Sequence, residues 1–195
     1  LHYTEVKASN LVKVDIQGNK VDDSPYAVNP AGLVIHTAIH AARPDIHCIA
    51  HTHTTEGMAV ACSQEGLRTD NFYSALLNNR IAYHDFEGIT VMDDEKPRLV
   101  KSLADKNILI LRNHGLLVGG RSIPEAFQTM WGLQRACEVQ VATDASGKTP
   151  IPINDEVLAK TAQLLNLQAM GGPAGGLEFD ALTRVIAKID PSYKE

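Results

Sequence analysis

Apolar and polar positions alternate over residues 11–16 and then meet Gly18-Asn19, which predicts a strand running into a turn. Asn29-Pro30 next supplies an N-cap and a proline suited to a first helical turn. Leu33, Ile35, Ile39 and Ala42 follow as apolar positions, so a helix is expected through about Ala42. Arg43-Pro44-Asp45 ends it, because proline disfavours helical geometry in the residue before it. Residues 46–53 read as a buried strand, with Ile46, Cys48 and Ala50 facing one way and His47, Ile49, His51 and His53 the other.

Thr54-Thr55 can cap a helix to about Ser63, residues 72–77 suggest another short helix, and residues 80–86 a strand. Residues 95–104 are helical in pattern, and Ile108-Leu109-Ile110-Leu111 is an apolar run of the kind found in a covered strand. That run delivers Arg112-Asn113-His114-Gly115, then Leu116-Leu117-Val118 and a Gly119-Gly120 turn. Ser122 and Glu125 form a capping box that opens the longest helix, to about Thr143, with Phe127, Met130, Trp131, Leu133, Cys137 and Val141 as its apolar surface. Asn154 caps a further helix to about Leu167, residues 171–176 form a glycine-rich linker, and a last amphipathic helix covers residues 178–189. Helices and strands mix without a strict βαβ repeat, so the expected class is α/β, a sheet with helices on both sides.

The chain has 195 residues, 44% of them apolar, with a net charge of -5. This suits a single domain over residues 1–195 with a helical C-terminal tail over about residues 154–195. The mild acidity and the lack of a basic stripe argue against nucleic acid or an anionic membrane as partner. Three cysteines (Cys48, Cys62, Cys137) lie far apart without a C-x-x-C pair, so neither a disulfide framework nor a cysteine-rich zinc ribbon is expected, and a reducing cytoplasm is the natural setting. No apolar run approaches the ~20 residues needed to span a bilayer. The chain opens at Leu1-His2-Tyr3 without an initiator methionine, from which a missing or processed upstream piece is expected.

The eight histidines change the picture more. Residues two apart in a strand share a face, so His51 and His53 can converge on one ion. His114 follows another apolar strand and precedes a glycine, which should bring it out at a sheet edge. Three neutral imidazoles with a vacant position suit a catalytic divalent ion; nitrogen donors favour zinc, and manganese, iron or cobalt fit the same geometry. His36 and His40 share a helix face, where packing is the simpler role and support of the ligands the other. His84, beside Asp85, is read as held by its surroundings more readily than as a base, Asn113 as orienting the loop of His114, and Glu56 as a first-turn glutamate serving the helix dipole, with a replacement base as its other reading.

Several motifs in order carry a resemblance: Asn29-Pro30-Ala31-Gly32, Ala42-Arg43-Pro44-Asp45, His51-Thr52-His53-Thr54, Ala82-Tyr83-His84-Asp85-Phe86-Glu87-Gly88 and Leu111-Arg112-Asn113-His114-Gly115-Leu116. Together they resemble the class II aldolase and adducin family, which includes L-fuculose-phosphate aldolase and ribulose-phosphate epimerase, and most of all its adducin-like branch. The resemblance implies a three-layer α/β/α fold, with the family's zinc histidines on His51, His53 and His114. It implies a metal-dependent aldolase-like lyase acting on a small hydroxy-carbonyl or sugar-derived substrate, phosphorylated or not, through a metal-stabilised enediolate. A sugar-phosphate epimerase or dehydratase, or a non-catalytic adducin-like assembly module, are the alternatives. Family members are cyclic homotetramers with sites between subunits, and Tyr73 lies near the position of a tyrosine acid contributed across that boundary. One departure stands out: the aldolases' glutamate base lies nineteen residues before the first zinc histidine, and the same count back from His51 lands on Gly32.

Overall fold

The computed structural model describes residues 1–89, 92–169 and 174–195. Four strands form the sheet: Cys48–Thr52 (β1), Ile81–His84 (β2), Ile108–Leu111 (β3) and Gly115–Gly120 (β4). Their order is β1-β4-β3-β2. β4 runs antiparallel to both β1 and β3, while β2 runs parallel to β3, so the sheet is mixed. Among the described residues seven α-helices accompany it: Pro30–Ala42 (α1), Thr55–Cys62 (α2), Phe72–Leu76 (α3), Lys96–Leu103 (α4), Ile123–Ala145 (α5), Asp155–Ala169 (α6) and Gly176–Ile189 (α7).

β3 and β4 are buried throughout, which is why their sequences read as apolar runs instead of alternating. Successive side chains still point to opposite faces. Ile108, Ile110, Leu116 and Val118 pack with Val60 and Ala61 of α2 and with Met130, Leu133 and Cys137 of α5. Leu109, Leu111 and Leu117 pack on the other side with Ile35 and Ile39 of α1 and Leu99 and Leu103 of α4. These two cores on opposite faces of one sheet make the three-layer α/β/α arrangement. Among the described residues no helix is long and apolar enough to cross a membrane.

Local signals set most boundaries. Asn29 Oδ1 accepts the Ala31 N–H at 3.1 Å to start α1, and the Thr54 hydroxyl accepts the Gly57 N–H to start α2. At α5, Ser122 Oγ accepts the Glu125 N–H, but the Glu125 carboxylate takes the Arg121 N–H and guanidinium instead of closing the expected box. Asn154 Oδ1 accepts the Glu156 N–H and opens α6.

Four expectations need correction. Residues 11–16 do not form a strand: a bridge between Val14 and Lys20 flanks a turn in which the Asp15 carboxylate accepts the Gln17 and Asn19 N–H groups. Leu11 and Ile16 are exposed there, so the alternating pattern has no core to face. Ile46 precedes β1 and packs with Ile49 against α1 and α4, not with Cys48 and Ala50, because the strand's alternation begins only at Cys48. Gly119-Gly120 ends β4 instead of turning; a Cβ on Gly119 would strike Ile46 and one on Gly120 the Ala126 backbone. In α1 the buried positions include Val34 and Ala38, while Ala42 is exposed. Residues 171–173 of the expected linker lie outside the described residues.

Candidate metal centre

The ends of β1 and β3, with the β3–β4 turn, meet at one edge of the sheet. His51 is the second-last residue of β1, paired with Leu117. Its Nδ1–H donates to the Leu116 carbonyl at 2.9 Å, and a carbonyl can only accept, so the lone pair of the neutral ring lies on Nε2. His53 follows where the chain leaves the strand for α2, and its Nε2 stands 2.7 Å from His51 Nε2.

His114 is supplied by the tight turn between β3 and β4. Asn113 takes a left-handed φ of 57°, which asparagine tolerates better than most residues. The turn is fixed on several sides: Arg112 N–H donates to the His84 carbonyl, Asn113 N–H to Ala61, His114 N–H to Leu111, and the Arg112 guanidinium to Ser63. The Arg112 guanidinium also lies 4.2 Å over the Tyr83 ring. Asn113 therefore does orient the loop of His114.

One ligand atom from each of His51, His53 and His114 lies within 4.8 Å of the others. Ring centres are 4.6 to 4.8 Å apart. Gly115 closes the cluster from below: a Cβ there would overlap the Thr52 carbonyl oxygen and stand 3.0 Å from His53 Cδ2. Burial, with smaller contributions from His114 and His53, lowers the His51 pKa to about 4. Burial and His53 also lower that of His114, while Glu95 pulls it the other way. His51 and His114 therefore stand neutral near pH 7, as metal ligation requires. Three imidazole nitrogen donors converging at a sheet edge fit a divalent transition-metal ion or zinc.

The other candidates sit around this cluster in different ways. Glu56, in the first turn of α2, accepts from Gln134 Nε2 at 3.2 Å, while Thr54 donates to the same side chain, so it braces α2 against α5. Tyr73 packs its ring edge-on against Trp131 at 5.7 Å and, among the described residues, makes no ring contact or hydrogen bond with the three histidines. His40 Nδ1–H donates to the Ile46 carbonyl. His84 is buried and held by Ser102 Oγ at 2.9 Å and the Glu95 carboxylate at 3.2 Å. His36 is half-buried, its pKa lowered by burial and then by His40. At Gly32 a Cβ would meet nothing within 4 Å.

Two residues near the cluster carried no role in the sequence. Glu95 is 7% exposed and its charge reaches His114, but inside Asp93-Asp94-Glu95 it reads as an ordinary acidic helix start. Its signal is its pairing with His84, which spacing along the chain does not reveal. Phe86 brings its ring centre to 6.5 Å from His114, and as a lone aromatic after a strand it gave no sign of this.

The family described as the class II aldolase and adducin N-terminal domain matches residues 1–141. Alpha-adducin of Rattus norvegicus is 48% identical over 153 residues, which is 77% of this chain and 21% of adducin, so the chain spans about a fifth of that relative. An aldolase II superfamily protein from Pseudomonas syringae superposes with a TM-score of 0.91 at 42% identity, over 100% of this chain and 78% of that one. The L-fuculose 1-phosphate aldolase from Glaciozyma antarctica PI12 gives 0.81 at 29% identity, over 97% of this chain and 73% of that one.

Proposed function

Because the chain belongs to the class II aldolase and adducin family, we propose that it is a metal-dependent, lyase-like enzyme acting on a small hydroxy-carbonyl or sugar-derived substrate. The observation that carries this reading is the convergence of three imidazoles at the sheet edge. His51, His53 and His114 would hold the ion, with zinc first among manganese, iron and cobalt as its identity. Bound there, it supplies a Lewis acid that lowers the cost of negative charge on hydroxyl and carbonyl oxygens.

The chain's own residues do the rest. The Leu116 carbonyl fixes the His51 ring with Nε2 outward, and the anchored Arg112-Asn113-His114 turn fixes the third ring. Phe86 offers apolar surface beside His114 on which a substrate carbon chain can lie. Tyr73 serves, in this reading, the site of a neighbouring subunit in a homotetramer; its ring is held by Trp131. Glu56 enters proton transfer only by giving up Gln134. The whole chain acts as one domain, in the cytoplasm.

Metal content of the purified protein and of His51→Ala and His114→Ala variants tests the first step: stoichiometric metal in the wild type, lost in both variants, is expected. Metal untouched by both substitutions sinks the reading. Catalysis is tested by turnover of a panel of sugar phosphates, sugar acids and free ketoses that disappears with chelator.

A second reading, a non-catalytic adducin-like assembly module, is favoured by one observation. Gly32 carries neither a ligand nor a base where the aldolases have glutamate. A protein that binds metal but turns over nothing in that panel decides for it.

A further inference from the structure

Five histidines lie outside the triad, and four of them are engaged by neighbours. His2 meets Thr4, His40 and His47 donate to the Ile46 and Pro44 carbonyls, and His84 is gripped by Ser102 and Glu95. His36 differs. Among the described residues its ring nitrogens make no hydrogen bond, and its aromatic neighbour is His40, with ring centres 6.5 Å apart. Polar groups shielded from water normally find partners, so a half-buried imidazole without one calls for an explanation.

Its position supplies one. α1 covers the sheet face on which Ile49 packs, and strand alternation puts His51 on that same face. Charge on His36 adds a small part to the lowering of the His51 pKa. Helical side chains lean toward the N-terminus, so His36 reaches back over the turn that begins at Gly32. There a Cβ would meet nothing within 4 Å, so the space around Gly32 is open. No other unengaged side chain of α1 combines these properties among the described residues.

We propose that His36 is the proton-transfer residue of the triad site, doing from the next turn of α1 what a carboxylate at position 32 does in the aldolases, on a small hydroxy-ketone. This rests on the reading of the triad as a metal centre. In the step, the C–H bond beside the carbonyl breaks, its electron pair forms a carbon–carbon double bond as the carbonyl oxygen takes the negative charge, and the proton passes to the free imidazole nitrogen. The reverse step returns a proton to the same carbon, or a deuteron in D2O. Burial and His40 lower the pKa of His36, which leaves the ring neutral and able to accept.

The test compares zinc-loaded wild type, His36→Gln and the double variant Gly32→Glu/His36→Gln. Zinc content is measured, together with exchange of the C–H protons of dihydroxyacetone into D2O by NMR. Diethyl pyrocarbonate modification of the metal-free wild type, mapped by mass spectrometry, gives a readout independent of activity. Stoichiometric zinc is expected in all three proteins, exchange should fall by about 10²- to 10⁴-fold in His36→Gln, and the glutamate of the double variant should recover part of it. His36 should be modified ahead of His40, His47 and His84.

Exchange by His36→Gln at the wild-type rate overturns the proposal, as does His36 resisting modification while His40 and His47 react. Zinc-loaded wild type that exchanges no protons above the buffer rate also overturns it, and leaves the metal centre standing. Loss of zinc from His36→Gln alone overturns it by making His36 a support of the ligands. Absence of zinc from the wild type removes the metal reading, and the proposal with it.

Discussion

Gly115→Ala places one methyl group at the point where β4 passes beneath the triad. An added Cβ would overlap the Thr52 carbonyl oxygen and stand 3.0 Å from His53 Cδ2 and 3.4 Å from His51 Cε1. The first of these is backbone, held in the β1–β4 ladder by the pairing of Thr52 with Leu116, so it cannot rotate away. An unstrained carbon-to-oxygen contact needs about 3.3 Å, so β1 or the β3–β4 turn must shift by something on the order of 1 Å. Metal–ligand distances tolerate only about 0.2 Å, several times less than that shift. The expected outcome is a loss of about 1–3 kcal/mol in stability from overpacking and at least a ~10-fold fall in zinc affinity. Urea titration of the metal-free protein reads the first, and zinc competition against a chelating dye reads the second. Wild-type affinity with wild-type stability would refute the argument, because it would mean that the three rings are not held by the close approach of β4.

Three further outcomes follow from the same geometry. Burial holds the folded His51 at about 4 against a free imidazole near 6.5, so between those values the unfolded chain binds a proton that the native state refuses. Stability of the metal-free protein is therefore lost as pH falls from 6.5 toward 4, with a ceiling of about 3 kcal/mol; a urea series showing the same slope for His51→Asn as for wild type would contradict this. Glu95→Ala leaves the buried His84 Nε2 without its carboxylate partner and should cost about 1–3 kcal/mol, read as a lower urea midpoint; an unchanged midpoint would show that the pair adds nothing. Tyr73→Phe keeps the ring on Trp131, so the thermal midpoint should hold while turnover falls, and a fall in both would make the tyrosine structural.

Much of this architecture was legible because the governing signals are local. Asn29-Pro30, Thr54 and Asn154 each cap the helix they were expected to cap, and Ile108-Leu109-Ile110-Leu111 is the covered strand its composition describes. His51, His53 and His114 could be paired beforehand because strand alternation and a turn glycine are properties of the chain itself. What stayed hidden depends on distant partners. The alternating residues 11–16 lack a neighbouring strand to pair with, and Gly119-Gly120 is shaped by Ile46 and Ala126, not by turn chemistry. Glu95 and Phe86 come to the site edge only because β2 runs parallel beside β3 and ends at the same edge.

A glycine at position 32 reads most simply as the loss of a base and hence of catalysis. The surroundings of Gly32 weaken that inference. A Cβ at position 32 would meet nothing within 4 Å, so no apolar side chain has packed into the place where a longer side chain would start. A buried carboxylate, Glu95, still acts on His114, and an unengaged imidazole, His36, stands one turn along α1. Charge bears on it too: imidazole ligands bring no negative charge to a divalent ion, whereas a carboxylate beside it would cancel part of its charge. Two opposite unit charges ~5 Å apart attract by about 3 kcal/mol at an effective dielectric constant near 20. A site without a carboxylate at position 32 would therefore hold an anionic hydroxy-acid more strongly and leave proton transfer to another group. On the proposed reading Gly32 would alter which substrate the site takes and which residue moves the proton, so the glycine alone does not argue against catalysis.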